Sequence, residues 1–380
     1  MSPQSAAEAA TPPKLDSPSL NSLNPVPLNV APLDPALPDA RDARYFPASF
    51  QEHLDSAYYG GGVDLVSYRG YMRAEIERGR EIVRLLRPWT SLEGKRVLDV
   101  GCGFGGLLIV MKEAGATGLA GVETDTNRIH WAGVRMRELG YEADLRQLDI
   151  CEDQTVSELG AFDVILAQDV IEHVADPSIT IRHISRMLSP GGVVFLQVGN
   201  KFSPDQLAGD HHYKLPGITM LSRPQAIEYF CTRLKQPASA YAVGCWREEK
   251  YYRHVFRRGG VALHRVDRFR TTDHVMWYAR AISELCTKLQ EGNLWLDLRP
   301  ELSRRMTRRI TKLAALYVHA SRLLPQMVDN LALLETACDA IVGRLLWGVW
   351  RLVGVKNLPL PERDLGTRTA GPSLGRGDAE

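Results

Sequence analysis

The chain has 380 residues, 44% of them hydrophobic and 24% charged, so it is long enough to bury a sizeable core and to carry more than one module. Its formal net charge at pH 7 is only +1, which excludes the strong overall positive field that draws a protein to nucleic acid. The cysteines are scattered without C-x-x-C spacing, a pattern typical of reduced residues in a cytoplasmic protein and not of a disulfide framework.

The first part of the chain, residues 1–45, is rich in Pro, Ser, Ala and Asn and shows no apolar periodicity. Such a segment cannot bury enough surface to offset its ordering entropy, so we predict a disordered Pro-rich tail. It lacks the basic-then-apolar pattern of a secretory signal, which again favours the cytoplasm. A helical pattern from Tyr68 to Leu86 then predicts an N-terminal helical cap over residues 46–91.

The next segment carries the most informative pattern in the chain. A β-branched and aliphatic run from Arg96 to Val100 ends in a glycine-rich turn, and an amphipathic stretch from Leu107 to Ala114 follows at once. Glycine permits the sharp turn and lets backbone N–H groups approach a ligand closely. Strand, loop and helix in this order predict a nucleotide-binding crevice at the carboxyl end of a parallel strand.

This glycine loop fits two classes of ligand. The dinucleotide pattern G-x-G-x-x-G is matched by Gly101, Gly103 and Gly106, but that pattern alone is a weak signal. The pattern D-x-G-x-G-x-G is matched by Asp99, Gly101, Gly103 and Gly105, and it resembles motif I of the class I S-adenosylmethionine (SAM) methyltransferases. The acidic residue favours SAM, because the methionine ammonium of SAM is a cation and a pyrophosphate is not.

The strands that follow agree with the methyltransferase pattern. A second strand over Gly118–Val122 ends in Glu123, whose position about 20 residues after the loop suits a contact to two ribose hydroxyls. A third strand, starting at Leu145, closes with Asp149 and Ile150. This segment resembles the one whose carboxylate accepts a hydrogen bond from the adenine amino group in these enzymes, with the next residue packed on the purine.

A fourth strand, Phe162–Ala167, opens into the segment Gln168–Val174, which resembles the Glu-Val-Leu-Glu-His-Val motif of a large methyltransferase group. The turn Ser189–Gly192 before an apolar strand is the usual start of the fifth strand in this family. The resemblance covers about residues 92–275 and implies an α/β fold with a Rossmann-like, seven-stranded class I methyltransferase sheet. It implies SAM as the cofactor, with binding residues Asp99, Gly101, Gly103, Gly105, Glu123, Asp149, Ile150 and Gln168.

The chemistry of methyl transfer indicates which residues to consider for catalysis. An amine acceptor needs little acid–base help, whereas a hydroxyl has a high pKa and needs a base or a metal. His173, just past the strand that edges the predicted SAM site, is the first candidate base. The loop Asp210–Pro216 resembles the region after the fifth strand in ubiquinone-pathway O-methyltransferases, and its His212 is the second candidate. We therefore predict transfer to oxygen, with N-methylation of a small molecule as an alternative.

A metal could assist the same reaction. Asp169, Glu172 and His173 form a D-x-x-E-H set, and a helix beginning near Val170 would aim the three side chains into one pocket. Two carboxylates and an imidazole suit a hard divalent ion, so we predict Mg²⁺. The set is similar to the E-x-x-E-H triad of ubiquinone-pathway O-methyltransferases and small-RNA 3′-terminal 2′-O-methyltransferases, although Asp169 has a shorter reach than Glu.

Two interpretations from other classes stay open. One is a metal-dependent RNA 3′-end 2′-O-methyltransferase, which the near-neutral charge disfavours because neutralising phosphates needs a basic track. The other is a membrane-associated scaffold that keeps a SAM fold without catalysis, which the intact motif residues disfavour. The acceptor itself is open among a small molecule, a sugar and a lipid-like compound.

A helical extension is predicted over residues 276–357, with interruptions at Pro300 and Pro325, and a second disordered tail over residues 358–380. Basic residues crowd one stretch of the extension. They are Arg304, Arg305, Arg308, Arg309 and Lys312.

The end of this extension, Ile341–Val353, is strongly apolar and exposes more hydrophobic surface than a lone helix tolerates in water. It needs cover from the α/β domain, from a second subunit in a homodimer, or from lipid. In the lipid case, residues 341–356 would lie on a membrane with Trp347 and Trp350 at headgroup level. We favour cover by protein. No stretch reaches the roughly 18 uninterrupted apolar residues of a spanning helix.

Overall fold

The computed structural model describes residues 43–56, 65–266, 272–291, 299–328 and 348–357. A seven-stranded sheet of order β3-β2-β1-β4-β5-β7-β6 lies at its centre. The strands are β1 (Arg96–Val100), β2 (Gly118–Glu123), β3 (Asp144–Gln147), β4 (Phe162–Gln168), β5 (Leu188–Gly199), β6 (Val261–Arg265) and β7 (Val349–Lys356). Strands β1 to β5 pair in parallel, and β7 runs antiparallel between β5 and β6. The predicted Rossmann-like α/β sheet is confirmed.

Helices follow the strands in the alternating order that a parallel sheet requires. They are α1 (Ala48–Ser56), α2 (Leu65–Arg73), α3 (Glu75–Leu86), α4 (Gly106–Glu113), α5 (Thr126–Glu138), α6 (Asp153–Leu159), α7 (Pro177–Met187), α8 (Pro204–Ala208), α9 (Arg223–Leu234), α10 (Glu249–Arg258), α11 (Thr272–Glu291) and α12 (Pro300–Val328). The helix predicted over Tyr68–Leu86 is therefore two helices, α2 and α3, which are separated at Ala74.

The core lies on both faces of the sheet, because successive side chains of a strand point to opposite faces. In β4, Val164 and Leu166 pack on one face with apolar residues of α3 and α4. Ile165 and Ala167 pack on the other face with residues of α7 and α10. This two-sided burial explains why the central strands are continuous apolar runs. It also leaves the carboxyl ends of the strands as the place for a ligand site.

The apolar segment near the C-terminus is a strand where helix was predicted. Residues 349–356 pair along β5 on one side and β6 on the other, so the predicted helix is wrong for this part. Trp350 is 1% exposed between β5 and β6, so the favoured cover by protein holds for this strand and the alternative position of Trp350 at a membrane surface is wrong. The rest of the predicted segment, with Trp347, lies outside the described residues. The β-branched residues here fit a strand hydrogen-bonded on both sides.

Helices α11 and α12 lie between β6 and β7 in the chain and pack on the loop after β5. Their buried residues share one apolar cluster with α8 and α9. Two polar contacts fix the arrangement, from Lys288 Nζ to the Ala208 carbonyl oxygen at 2.7 Å and from the Tyr317 hydroxyl to the Phe202 carbonyl oxygen. The predicted break at Pro325 is wrong because α12 continues past it. None of the described helices is both long and apolar enough to cross a membrane.

Candidate active site

The loop after β1 has three glycines with positive φ, namely Gly101 (70°), Gly103 (51°) and Gly105 (79°). Residues with a Cβ rarely adopt this conformation. A Cβ at Gly101 would lie 2.6 Å from the side chain of Val170, whereas a Cβ at Gly103 would meet no described atom within 4 Å. Gly101 is therefore required for packing against the turn after β4. The space beside Gly103 is open and can accommodate a ligand.

Asp99 of β1 is 2% exposed and lies at the floor of this loop. Burial, followed by the nearby carboxylates of Glu123 and Glu75, raises the pKa of Asp99 well above its usual range. A positively charged ligand group beside Asp99 would relieve this electrostatic penalty. The ammonium group of SAM has the charge that the site requires.

Glu123 ends β2 and joins that strand to the glycine loop. Its Oε2 accepts a hydrogen bond from the Gly103 backbone N–H at 3.3 Å and lies 3.7 Å from the Arg128 guanidinium. Its Oε1 accepts from the backbone N–H of Thr124 at 2.8 Å. Glu123, which the sequence predicts to bind ribose, therefore holds the glycine loop in place, so its substitution will disturb the loop.

The other predicted SAM residues lie at the ends of β3 and β4. Asp149 uses Oδ1 to accept from the Cys151 backbone N–H at 2.8 Å. Ile150 is buried in the core cluster on that side of the sheet. Gln168 is buried at the end of β4, and its Oε1 has no hydrogen-bond partner among the described residues. A buried acceptor in this state favours a ligand that can donate a hydrogen bond.

The segment after β4 is a turn, and α7 begins only at Pro177. The predicted helix start near Val170 is therefore wrong. Asp176 caps α7 by accepting from two backbone N–H groups, and proline takes the first helical position, which is the usual start signal. The side chains of the D-x-x-E-H set consequently do not share one helix face.

Asp169 points away from the predicted metal set. Its Oδ2 accepts hydrogen bonds from the Tyr71 hydroxyl at 2.6 Å and from Gln197 Nε2 at 2.9 Å. Its φ is 53°, an uncommon value for a residue with a side chain. The described residues that can share one metal ion are instead Glu172, His173 and His212, whose ligand atoms all lie within 4.8 Å of one another.

The two predicted catalytic histidines, His173 and His212, face each other. Their Nε2 atoms are 3.1 Å apart, although the residues are separated by 39 positions in the chain. His173 Nδ1 lies 3.1 Å from the Ala242 carbonyl oxygen, so Nδ1 must donate and Nε2 keeps its lone pair when the ring is neutral. The loop after β5 thus brings His212 to the turn after β4, as the resemblance implied.

An acidic residue completes this pair. Asp210 is fully buried and accepts hydrogen bonds from three backbone N–H groups, those of His212, Tyr213 and Leu215. Its Oδ2 also lies 3.6 Å from His212 Nδ1, which has no hydrogen-bond partner among the described residues. If Nδ1 of His212 carries its proton toward Asp210, two Nε2 lone pairs face each other. That arrangement favours a shared proton or a metal ion between the rings.

Burial shifts the pKa values of His173 and Glu172, the two groups next to His212, in opposite directions. Burial, and then the neighbouring His212, lowers the pKa of His173 to about 4. Burial, and then Asp169, raises the pKa of Glu172 to about 8. His173 is therefore neutral at physiological pH and suited to accept a hydrogen bond or bind a metal. Glu172 is buried, and its Oε2 has no hydrogen-bond partner among the described residues.

Residues 68–262, more than half of the chain, match the methyltransferase domain family. This chain belongs to the class I SAM-dependent methyltransferase family. The matched region begins in α2 and ends in β6, so it contains the glycine loop, the post-β4 turn and the loop with His212. It stops before α11 and α12, the two helices inserted ahead of β7.

Individual relatives of this methyltransferase match a shorter part. The chain is 39% identical over 114 residues to a ubiquinone biosynthesis O-methyltransferase of Actinobacillus pleuropneumoniae, covering 29% of this chain and 48% of that protein. It is 36% identical over 132 residues to the enzyme of the same name from Thiobacillus denitrificans, covering 34% and 56%. The chain thus spans about half the length of the curated relatives it matches.

Among solved structures, the magnesium protoporphyrin IX methyltransferase of Synechocystis PCC 6803 with bound SAH is similar at 21% identity and a TM-score of 0.37. The similarity covers 59% of this chain and 89% of that one.

Several site residues of this methyltransferase carry no signal in the sequence. Tyr71 lies 98 residues before Asp169, and no local motif marks it. Asp210 stands beside the recognised histidines but resembles any loop aspartate until its burial is known. The ring centroids of Trp246 and His212 are 5.6 Å apart. The sequence does not predict the role of these three residues, because all three contacts depend on tertiary folding.

Proposed function

We propose that this methyltransferase transfers the methyl group of SAM to a hydroxyl oxygen of a small molecule. The observation that carries the proposal is the His173–His212 pair with Asp210 behind it, because an amine acceptor would not require such a group. The names of the curated relatives, ubiquinone biosynthesis O-methyltransferases, support oxygen as the acceptor atom. Sugars and lipid-like molecules fall within this proposed class.

The residues of the glycine loop and strand ends fit SAM. Asp99 would balance the methionine ammonium, and Glu123 would contact the ribose hydroxyls while holding the loop. Asp149 keeps Oδ2 available for the adenine amino group, with Ile150 beside it, and Gln168 offers its buried carbonyl oxygen. Bound SAM would supply an electrophilic methyl group on a sulfonium, whose carbon–sulfur bond breaks as the carbon–oxygen bond forms and leaves a neutral thioether.

In the proposed mechanism, His212 takes the proton of the acceptor hydroxyl. Asp210 lies 3.6 Å from Nδ1 and would stabilise the imidazolium that forms, just as a buried carboxylate orients and stabilises a catalytic histidine elsewhere. His173 stays neutral because its pKa is low, and the hydrogen bond to Ala242 fixes its ring. His173 then acts by accepting a hydrogen bond at Nε2 and positioning His212.

A metal ion is the second way in which the same groups could activate a hydroxyl. Glu172, His173 and His212 would hold it, and the unpartnered Glu172 Oε2 supports this arrangement. Two imidazoles and one carboxylate suit Zn²⁺ or another first-row transition metal better than the predicted Mg²⁺, which prefers oxygen ligands. The ion would supply Lewis acidity that lowers the pKa of the hydroxyl.

The division of the chain into a sheet and flanking helices also bears on function. We propose that the catalytic unit comprises the sheet from β1 to β7, and that α1 to α3 and the inserted α11 and α12 form caps on it. The contacts of Tyr71 with Asp169 and of Tyr317 with Phe202 support this division. An RNA acceptor is disfavoured by the net charge of +1, as the sequence predicts.

Incubation with methyl-labelled SAM and fractionated cell extract of the source organism tests the proposed function. We expect label in a small-molecule fraction, in a bond that mass-spectrometric fragmentation assigns to oxygen. Label found only in RNA, or only on nitrogen, would contradict the proposal.

A further inference from the structure

Helix α12 has two chemically distinct faces. One face is apolar and packs into the cluster shared with α8, α9 and α11, through residues such as Met306, Ile310 and Tyr317. The other face is exposed and cationic over little more than two helical turns. Its basic side chains, all exposed, are Arg304, Arg305, Arg308, Arg309 and Lys312.

The positive charges of this cationic face outnumber the acidic residues close to them. Glu301, in the first turn, is the one acidic residue of α12, and the sequence 302–328 contains no Asp or Glu. Within the part of the chain that the structure describes, none of the five basic residues forms an ion pair. Arg304, Arg308 and Lys312 are spaced four residues apart, so like charges lie one above the other and repel. A helix face that contacts only solvent usually carries both acidic and basic side chains. An anionic partner would remove the repulsion.

The helix also exposes an apolar side chain next to these charges. Leu316, one turn after Lys312, is 40% exposed, and the only other large hydrophobic side chain so exposed among the described residues is Tyr71. A leucine beside cations gains at the boundary between lipid headgroups and acyl chains. It gains nothing from a phosphate backbone, and no Phe, Tyr or Trp lies on the described part of this face to stack on bases.

We propose that the exposed face of α12 docks the protein on a bilayer surface that carries anionic lipid headgroups. The apolar face of α12 stays in the protein core, so binding is electrostatic and peripheral, without insertion of the helix. The Tyr317–Phe202 contact fixes α12 to the loop that follows β5. The docking itself does not depend on the proposed methyl transfer.

Sedimentation with lipid vesicles tests the docking surface in the full-length protein. Wild type is compared with a variant that combines Arg304→Gln, Arg308→Gln and Lys312→Gln. A matched control combines Arg182→Gln, Lys250→Gln and Arg257→Gln, which removes the same charge from exposed positions outside α12. The vesicles are phosphatidylcholine alone or phosphatidylcholine mixed with phosphatidylglycerol, at low and physiological salt.

We expect wild type and the control to bind only the phosphatidylglycerol vesicles, and to bind more weakly as salt increases. Each basic residue near an anionic surface contributes roughly a fivefold factor, so the α12 variant should bind about 100-fold more weakly. Calorimetry should show equal SAM binding by wild type, the α12 variant and the control. Absence of SAM binding by wild type would count against the proposed function, whereas the vesicle results alone test docking.

Three results would overturn the docking proposal. The first is equal vesicle binding by the α12 variant and the control, and the second is no vesicle binding by wild type. The third is binding of a duplex oligonucleotide, through the α12 residues, in preference to the vesicles.

Discussion

The Tyr71 hydroxyl donates a 2.6 Å hydrogen bond to Oδ2 of Asp169 and so joins α2 to the turn after β4. Gln197 of β5 donates to the same carboxylate, and Arg351 of β7 donates to Gln197 Oε1 at 2.8 Å. On the outer side, the Arg78 guanidinium lies 3.6 Å from the centre of the Tyr71 ring. This network holds Asp169 in its uncommon backbone conformation, and with it the turn that carries Glu172 and His173.

Replacing Tyr71 by phenylalanine should lower kcat, because Asp169 loses a donor and the turn loses a restraint. A hydrogen bond to a charged group contributes about 1.5–3 kcal/mol, so we expect a loss of roughly tenfold or more in kcat. Steady-state kinetics with labelled SAM measures it. Tyr141→Phe is the matched control, since that hydroxyl only reaches Glu113, at 3.5 Å and away from the site. Unchanged kcat in Tyr71→Phe would refute a positioning role.

The histidine pair makes a second prediction. His212→Ala should lower kcat about 100-fold or more, in the range of general-base catalysis, with SAM affinity retained. His173→Ala should also lower kcat, and the double variant should lose little more than the worse single variant, because the two rings act as one unit. His254→Ala is the control, since that exposed residue lies outside the site. Additive losses in the double variant would argue against a coupled pair.

Metal removal separates the two ways of activating the hydroxyl. If the metal arrangement operates, EDTA should abolish turnover, Zn²⁺ or Mn²⁺ should restore it better than Mg²⁺, and Glu172→Gln should weaken metal binding. If the histidines act as a base, turnover should survive EDTA and still depend on His212. Metal analysis of the purified protein, together with the kinetics, decides between them. Full activity in Mg²⁺ alone would contradict a metal site built from two imidazoles and one carboxylate.

A raised pKa at Asp99 predicts that SAM binding releases a proton. Burial raises the pKa of Asp99 in the free protein, and the SAM cation favours the ionised form, so affinity should rise with pH until Asp99 is ionised without ligand. Calorimetry in buffers of different ionisation enthalpy counts the released protons. Asp99→Asn should bind more weakly and lose this release. The titration is done at about pH 6, well below the ordinary pKa of an amino group, so that the SAM ammonium stays protonated with both proteins. Equal proton release by both proteins would contradict the assignment.

Strand β7 makes a prediction about stability. A Cβ at Gly354 would lie 2.6 Å from Val261 Cγ1 and 2.7 Å from Leu263 Cδ2, so Gly354→Ala forces these packed side chains of β6 to shift. We expect a loss of about 1–3 kcal/mol in the free energy of unfolding, measured with urea. Gly70→Ala in α2 is the control, because no described atom lies within 4 Å of its Cβ, and alanine should stabilise that helix by up to about 1 kcal/mol. Equal stabilities of the two variants would contradict a central β7.

The sequence predicts those parts of the fold that depend on local patterns. The glycine loop, the strands at either side of it and the acidic residue Glu123 are all set by short motifs at fixed spacing. The pair of His173 and His212 could be predicted for the same reason, since each lies in a motif that follows a strand. Their contact at 3.1 Å then follows from strand order, because β4 and β5 are neighbours.

Other features depend on information that no local pattern carries. The residues of β7 form a short apolar run, which periodicity alone cannot assign to helix or strand, and their partners lie more than 80 positions earlier in the chain. Asp169 leaves the predicted metal set because Tyr71 and Gln197 bind it from distant segments. His212 replaces Asp169 as the third candidate ligand because the loop after β5 folds against the turn after β4.

The proposed O-methyl transfer is tested by the product formed from methyl-labelled SAM and hydroxylated small molecules, with wild type and with a His173→Ala, His212→Ala double variant. We predict an O-methyl product from wild type, and a loss of turnover by about 100-fold or more in the double variant while calorimetry shows SAM binding unchanged. An N-methyl product from wild type, or full turnover by the double variant, would contradict methyl transfer to oxygen by the histidine pair.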